Sequence, residues 1–128
     1  MTDRLTLYRA TDDDIIVGCA SFALSREAAE AYLRNPGYGG RSLWRAEVEI
    51  DPETLLDLVA VDDPIATIMQ TTGLPHPGAI GADEWVPRIA DRLADVGIEW
   101  VRVAESYPTN TVTYIFVGSD DPEMEPVE

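Results

Sequence analysis

Arg9 is the residue of this sequence whose setting most clearly indicates binding chemistry. It shares the alternating parity of Leu5 and Leu7 on a short apolar segment that reads as a strand. A guanidinium on the apolar face of a strand requires an anionic partner, because an unpaired buried charge is costly. Two kinds of partner stay open: an internal carboxylate, for which Asp57 and Glu47 are candidates, and the diphosphate of a bound nucleotide.

Ser25 lies where an apolar segment gives way to a helical pattern, and a serine there has two interpretations. Residues 15–24 read as a strand, and a helix is predicted from Ser25 through about Arg34 with Tyr32 on its buried side. As the helix cap, the Ser25 hydroxyl accepts a hydrogen bond from a backbone amide, which is worth about 1 kcal/mol. The other interpretation is a nucleotide pocket in this turn.

Residue counts exclude several other kinds of site. His76 is the only histidine and Cys19 the only cysteine, so a histidine-ligated metal cluster, a Cys/His cluster and an internal disulfide are not expected. No glycine-rich phosphate loop of the common spacings is present. The run of three aspartates at 12–14 lacks the alternating ligand spacing of a calcium loop, so we interpret it as a solvated turn.

The elements that must position these residues are strands and helices in an irregular order. Beyond the two strands named above, alternating apolar residues predict strands over 42–50, 98–104 and 111–117. Capping and breaking residues predict helices over 63–73 and 83–97. About five or six strands and about three helices indicate an α+β domain with a mixed or antiparallel sheet.

Length and composition set the domain organisation. The chain has 128 residues, of which 45% are hydrophobic, which is enough for one compact domain and too little for two. We expect that domain over 1–118, followed by an acidic, disordered tail over 119–128. Neither a membrane span nor a signal peptide is expected, so a cytoplasmic protein is predicted.

The charge of the chain is strongly negative. Asp and Glu number 24 against nine basic residues, which gives a net charge of −15, and all nine basic residues are arginines. Such a surface repels phosphate backbones and anionic membranes. Direct binding to a nucleic-acid backbone or to a membrane is therefore not expected.

Five short motifs carry a resemblance to a known family. In chain order they are LYRATD, SFALSREAAEAYL, LWRAEVEIDPETLLDL, ADRLADVGIEWV and TVTYIFV. Together they resemble the ADP-ribosyltransferase-like fold of bacterial and phage-encoded toxins and effectors. The resemblance implies NAD as the cofactor and either hydrolysis of NAD or transfer of ADP-ribose to a protein or nucleic acid.

The resemblance assigns roles to individual residues. Arg9 holds the NAD phosphates, Ser25 is the last residue of a serine/threonine triplet, and Ser21 takes over from the triplet's missing members. Tyr32 lines the same cleft. Thr113 stands where the family carries its catalytic glutamate. A threonine cannot stabilise an oxocarbenium-like cation as a carboxylate does, so Glu105 is the candidate to substitute.

An alternative function belongs to a different class. A degenerate member of the family would be a non-catalytic, acidic interaction protein that binds a protein partner or mimics nucleic acid. The two functions differ in geometry. A concave site that brings Arg9 and a carboxylate close to the serines favours the enzyme, and a filled cleft favours the interaction protein.

Overall fold

The computed structural model describes residues 3–11, 20–34, 42–105, 111–118 and 122–127. In this part of the chain seven strands form one mixed sheet, accompanied by four α-helices and one 3-10 turn at Pro52–Thr54. The strands are β1 (Asp3–Thr11), β2 (Ala20–Ala23), β3 (Ser42–Ile50), β4 (Leu55–Asp57), β5 (Trp100–Glu105), β6 (Thr111–Phe116) and β7 (Glu125–Pro126). The helices are α1 (Arg26–Arg34), α2 (Pro64–Thr72), α3 (Ala82–Arg88) and α4 (Ala90–Asp95).

The strand order across the sheet is β4-β5-β6-β2-β1-β3-β7. All neighbouring strands are antiparallel except β4 and β5, which are parallel. The predicted α+β class with a mixed sheet is therefore confirmed. The sheet has more strands than predicted because β4 and β7, with three and two residues, are too short to show an alternating pattern.

All four helices lie on one face of the sheet. The helix-side core, the buried cluster between β4–β6 and α2–α4, is mainly aliphatic. Its members are Leu56, Leu58, Ile68, Trp85, Val86, Ala90, Leu93, Val101, Val103, Ile115 and Val117. Helix α2 has the predicted ends: the Asp63 carboxylate accepts a hydrogen bond from the Ala66 amide at 3.1 Å, and Gly73 terminates the helix in the left-handed conformation with φ 75°.

The opposite face of the sheet carries a second buried cluster, here called the strand-side core. Its members are Leu7, Phe22, Ala46, Val48, Ile50, Trp100, Tyr114 and Phe116, and no described helix contributes to it. Trp100 lies at its centre, with ring centroids 5.6 Å from Phe22 and 5.0 Å from Phe116 in edge-to-face geometry. Aromatic side chains from separate strands thus fill the space that helices fill on the other face.

Helix α1 begins directly after Ser25, as the sequence predicts. The Ala28 amide donates a hydrogen bond to the Ser25 hydroxyl at 3.1 Å. Small residues then bring the helix close to the sheet, where Ala29 packs against Ala23 and Leu43. The capping interpretation of Ser25 is confirmed.

The single helix predicted over 83–97 is wrong, since the chain forms two helices that meet at Ile89. Pro87 has no amide proton to donate, and its ring crowds the carbonyl of Asp83 one turn earlier. Ile89 leaves the helical conformation, with φ −121°, and its amide bonds instead to the Val86 carbonyl at 3.2 Å. The buried residues of α4, Ala90 and Leu93, belong to the helix-side core.

The prediction of a disordered tail over 119–128 is wrong for its described residues, 122–127. Strand β7 pairs with β3, and the Val127 amide donates to the Leu43 carbonyl at 2.8 Å. Met124 packs against the strand-side core, and Val127 packs against Ala23, Ala29 and Leu43. Met124 and Val127 are three residues apart in an extended segment, so their side chains point to opposite faces of the sheet. Each therefore packs against a different buried cluster.

Candidate functional site

A row of polar and aromatic side chains crosses the sheet on the face opposite the helices. Its order follows from the strand register and the contacts between neighbours: Asp57, Arg102, Tyr114, Phe22, Arg9 and Trp44. Each residue comes from a different strand, from β4 at one side to β3 at the other. This cross-strand row contains Arg9, the residue whose setting in the sequence most clearly indicates binding chemistry.

At the β4 side of the row, Arg102 is neutralised within the chain. Its Nη1 lies 3.1 and 3.2 Å from the two carboxylate oxygens of Asp57. The same carboxylate accepts hydrogen bonds from the amides of Val59 and Ala60 at 3.0 and 3.4 Å. Asp57 is thus fully engaged in closing the turn after β4, and this side of the row has a structural role.

At the β1 side of the row, Arg9 is half-buried among aromatic rings. Its guanidinium carbon lies 5.9 Å from the centroid of the Phe22 ring, and Arg9 is the cross-strand neighbour of Trp44. The internal carboxylates considered as its partners are engaged elsewhere, Asp57 with Arg102 and Glu47 with Arg4 at 3.3 Å. The Nε1–H of Trp44 is buried and has no hydrogen-bond acceptor in the described part of the chain.

The structure separates Arg9 from Ser21 and Thr113, two of the residues assigned to an NAD cleft. Tyr8 pairs with Ala23, so Arg9 lies on the strand-side face, whereas Ser21 and Ala23 point to the helix side. Thr113 pairs with Ala23 and is 3% exposed, which places its side chain on the helix-side face and buries it. Ser21 is exposed. Arg9 and Thr113 therefore lie on opposite faces of one sheet.

The remaining candidates lie apart from this row. Ser25 is exposed and uses its hydroxyl as the α1 cap. Tyr32 belongs to the second half of α1, and Glu105 is the last residue of β5, opposite Thr111. The side chains of Tyr32 and Glu105 lie outside the described residues, so their assigned roles stay predictions.

Most arginines of the described chain are engaged with its own acidic or carbonyl groups. Besides the pairs above, Arg26 binds Glu30 at 2.9 Å, Arg45 binds Glu125 at 3.0 Å, and Arg92 donates to the Thr72 carbonyl. The hydrogen bond and the charge of Glu125 raise the pKa of Arg45, so this group stays charged. Since 24 acidic residues face only nine arginines, these pairs leave a large excess of carboxylate on the surface.

Some of that excess lies along an exposed strand edge that sequence reasoning did not single out. Strand β3 has nine residues, but β7 pairs only with Trp44 and Arg45. Beyond that point Glu47 and Glu49 are exposed, while Val48 and Ile50 are buried in the strand-side core. The alternating pattern predicts the strand over 42–50, and charged side chains such as these glutamates are common on the edge strands of sheets.

The described residues form neither a cluster of metal ligands nor a membrane-spanning helix. No group of three or more His, Cys, Asp or Glu side chains there is arranged to hold a metal ion. None of the described helices combines the length and the apolar character that a membrane span requires. The three aspartates at 12–14 lie outside the described residues.

Comparisons with known proteins give one informative likeness. The chain matches no protein-family model and no curated protein by sequence. In fold it is similar to a protein whose crystal structure is described as that of an anti-CRISPR protein, with a TM-score of 0.57 and 14% sequence identity. The likeness covers 97% of this chain and 96% of that chain. At this level of identity the comparison establishes a shared fold.

Proposed function

We propose that this chain is a non-catalytic inhibitor of a CRISPR effector, which it binds as an acidic protein at a basic surface that otherwise holds nucleic acid. The observation that carries the proposal is a whole-chain likeness in fold to an anti-CRISPR protein in a chain with a net charge of −15. The fold alone does not define a function, so the charge supplies the physical argument.

The charge suits a partner of opposite sign. CRISPR effectors hold the duplex of guide RNA and target DNA in a positively charged channel. A surface with an excess of carboxylates is attracted to such a channel and competes with phosphate for its arginines and lysines. The same surface avoids free nucleic acid, so binding is directed to the protein.

The placement of the predicted NAD-site residues favours this function over a catalytic one. Arg9 lies among rings of the strand-side face, and Thr113 is buried on the helix side. Ser25 uses its hydroxyl as the α1 cap, and Ser21 lies on the face of the sheet opposite Arg9. NAD binding stays a prediction that the same experiment tests.

The test measures binding of target DNA to purified CRISPR effector complexes in the presence of this protein. We expect at least one complex in a panel to lose DNA binding at micromolar inhibitor, without NAD, and to recover as salt is raised, because screening weakens exposed charge pairs. Inhibition only in the presence of NAD, with release of nicotinamide, would favour the enzyme instead. Lack of inhibition across the panel would refute the proposal.

A further inference from the structure

The outer edge of β3, which β7 pairs in part, presents its backbone groups in a fixed direction. The Val127 amide bonds to the Leu43 carbonyl, so the main-chain groups of Leu43 point toward β7 and away from β1. The register between β1 and β3 is unbroken from Asp3 opposite Ile50 to Thr11 opposite Ser42. Because alternate residues of an antiparallel strand point their main-chain groups to the same side, those of Glu47 and Glu49 also point away from β1.

No described strand pairs with this stretch of the edge. Strand β7 ends its pairing at Arg45, and the tail then contacts the strand-side core through Met124. The amide and carbonyl groups of Glu47 and Glu49 are therefore placed to pair with a further strand. The opposite edge of the sheet, β4, has only three residues and offers a much shorter template.

The side chains along the edge define what that strand must look like. On the helix side Glu47 and Glu49 are exposed, the Glu47 side chain by 55%, so they favour basic residues on the incoming strand. On the other face Val48 and Ile50 belong to the strand-side core, which favours apolar residues. The two requirements alternate, as successive side chains of one strand do.

The same charges disfavour a second copy of this chain as the occupant. Pairing two β3 edges would place glutamates beside glutamates, and like charges on facing strands are destabilising. Arg4, which contacts Glu47, is 72% exposed, and such exposed pairs contribute little, so it does not cancel the preference.

We infer that the β3 edge at 46–50 binds an extended segment of the partner protein, adding it as a strand in which basic and apolar residues alternate. This inference rests on the proposed function for the identity of the partner. Strand addition supplies affinity through main-chain hydrogen bonds, while the alternating side chains supply selectivity. The basic segment of the partner is then bound to this acidic chain and is not available to nucleic acid.

The probe is an acetylated and amidated heptapeptide of alternating valine and lysine, with a valine–glutamate peptide as its counterpart. Amide hydrogen exchange of the isotopically labelled protein is followed by NMR. We expect the lysine peptide to slow exchange at Glu47 and Glu49 by about tenfold or more, because those amides become hydrogen-bonded. The glutamate peptide should leave both amides unchanged. Unchanged exchange with the lysine peptide would refute the inference.

Variants separate strand addition from general attraction of charges. Glu49→Pro removes one outward amide at a position where an edge strand tolerates proline, and it should abolish peptide binding with the fold retained. The double variant Glu47→Lys/Glu49→Lys should reverse the preference and bind the glutamate peptide. The matched control Glu84→Lys/Asp91→Lys makes the same change in net charge on α3 and α4 and should leave binding unchanged. Equal loss in this control would overturn the inference.

The effector assay distinguishes this inference from the proposed function. If Glu49→Pro and the edge charge reversal inhibit the effector as the natural protein does, the edge inference is wrong and the proposed function stands. If the natural protein inhibits no effector but its edge still binds the lysine peptide, the proposed function is wrong and the edge inference stands.

Discussion

The two halves of the sheet are stabilised by different means. The half that contains β4, β5 and β6 is covered by α2–α4 and has an aliphatic core between two layers. The half that contains β1, β2 and β3 is covered by α1 through small residues such as Ala29, and it is completed by the two-residue strand β7. The candidate interaction edge belongs to the second half, where β7 pairs with only two of the nine residues of β3.

The largest expected effect comes from the residue that joins the two halves. Trp100 is 2% exposed and packs edge-to-face with Phe22 and Phe116. Trp100→Ala should lower the free energy of unfolding by about 3–5 kcal/mol, through lost burial and a large cavity. Urea denaturation measures the loss, and Trp100→Phe, which keeps a ring, should retain much of the stability. A loss below 1 kcal/mol, on the scale of an ordinary surface substitution, would show that the halves are not joined here.

Thr113→Glu tests whether the Thr113 side chain is buried on the helix side of β6, as the structure has it, or lines an open cleft. Thr113 lies between Ala23 and Val103 at 3% exposure, so the new carboxylate would be buried. We expect a loss of about 3 kcal/mol in unfolding free energy at neutral pH, since an uncompensated buried charge costs this much or more. Thr113→Val is the matched control.

The pH dependence of that variant has a definite sign. Burial raises the pKa of the introduced carboxyl above its unfolded value, so folding of the variant is favoured by protonation. The deficit relative to the natural protein should therefore be greatest above the raised pKa and shrink as pH falls toward the ordinary glutamate value of about 4.3. A deficit independent of pH would mean that the damage is steric.

Deleting the tail after Gly118 tests how much β7 contributes to the half of the sheet that contains β1, β2 and β3. The deletion removes Met124 and Val127, each half-buried, and the ion pair between Arg45 and Glu125. At about 1 kcal/mol for each half-buried side chain we expect a loss of about 2 kcal/mol and a melting temperature lower by several degrees. Glu125→Gln, which removes only the exposed pair, should leave the melting temperature almost unchanged. An unchanged melting temperature would restore the original expectation of a disordered tail.

The sequence predicted local features better than it predicted pairing. The Ser25 cap and the ends of α2 follow from residues within one turn of each other, and both are confirmed. Strands β4 and β7 were missed because their stability comes from distant neighbours, Trp100 to Arg102 in one case and Trp44 and Arg45 in the other. Short strands carry too little pattern of their own.

The candidate site shows the same limit. Alternation placed Arg9 on the face of Leu5 and Leu7, and the structure agrees. Alternation within one strand does not reveal how strands are paired, so Ser21 and Thr113 were assigned to the cleft of Arg9 although they lie on the other face. Within the described part of the chain, Glu47 and Glu49 have no partner strand because β7 pairs only with Trp44 and Arg45, which no local pattern indicates.

The smallest expected effects compare the helix caps of the two halves. The Ser25 hydroxyl and the Asp63 carboxylate each accept one amide hydrogen bond at 3.1 Å, from Ala28 and Ala66. Replacing either residue with alanine should cost about 1 kcal/mol. Asp63→Ala should cost more by about 0.3–1 kcal/mol, because its charge also interacts favourably with the helix dipole.

An acidic residue in the first turn of α1 but not of α2 should increase the difference in cost between Ser25→Ala and Asp63→Ala. The first turn of α1 keeps an acidic residue, Glu27, after Ser25→Ala, whereas the first turn of α2 has none to replace Asp63. Urea midpoints at low salt measure both losses, and added salt should reduce only the excess cost of Asp63→Ala, since screening acts on the charge. Ser25→Asp should then stabilise the protein slightly. If the two alanine variants lose the same stability at every salt concentration, the hydrogen bond alone accounts for the contribution of each cap. The charge of Asp63 would then add nothing to the stability of α2.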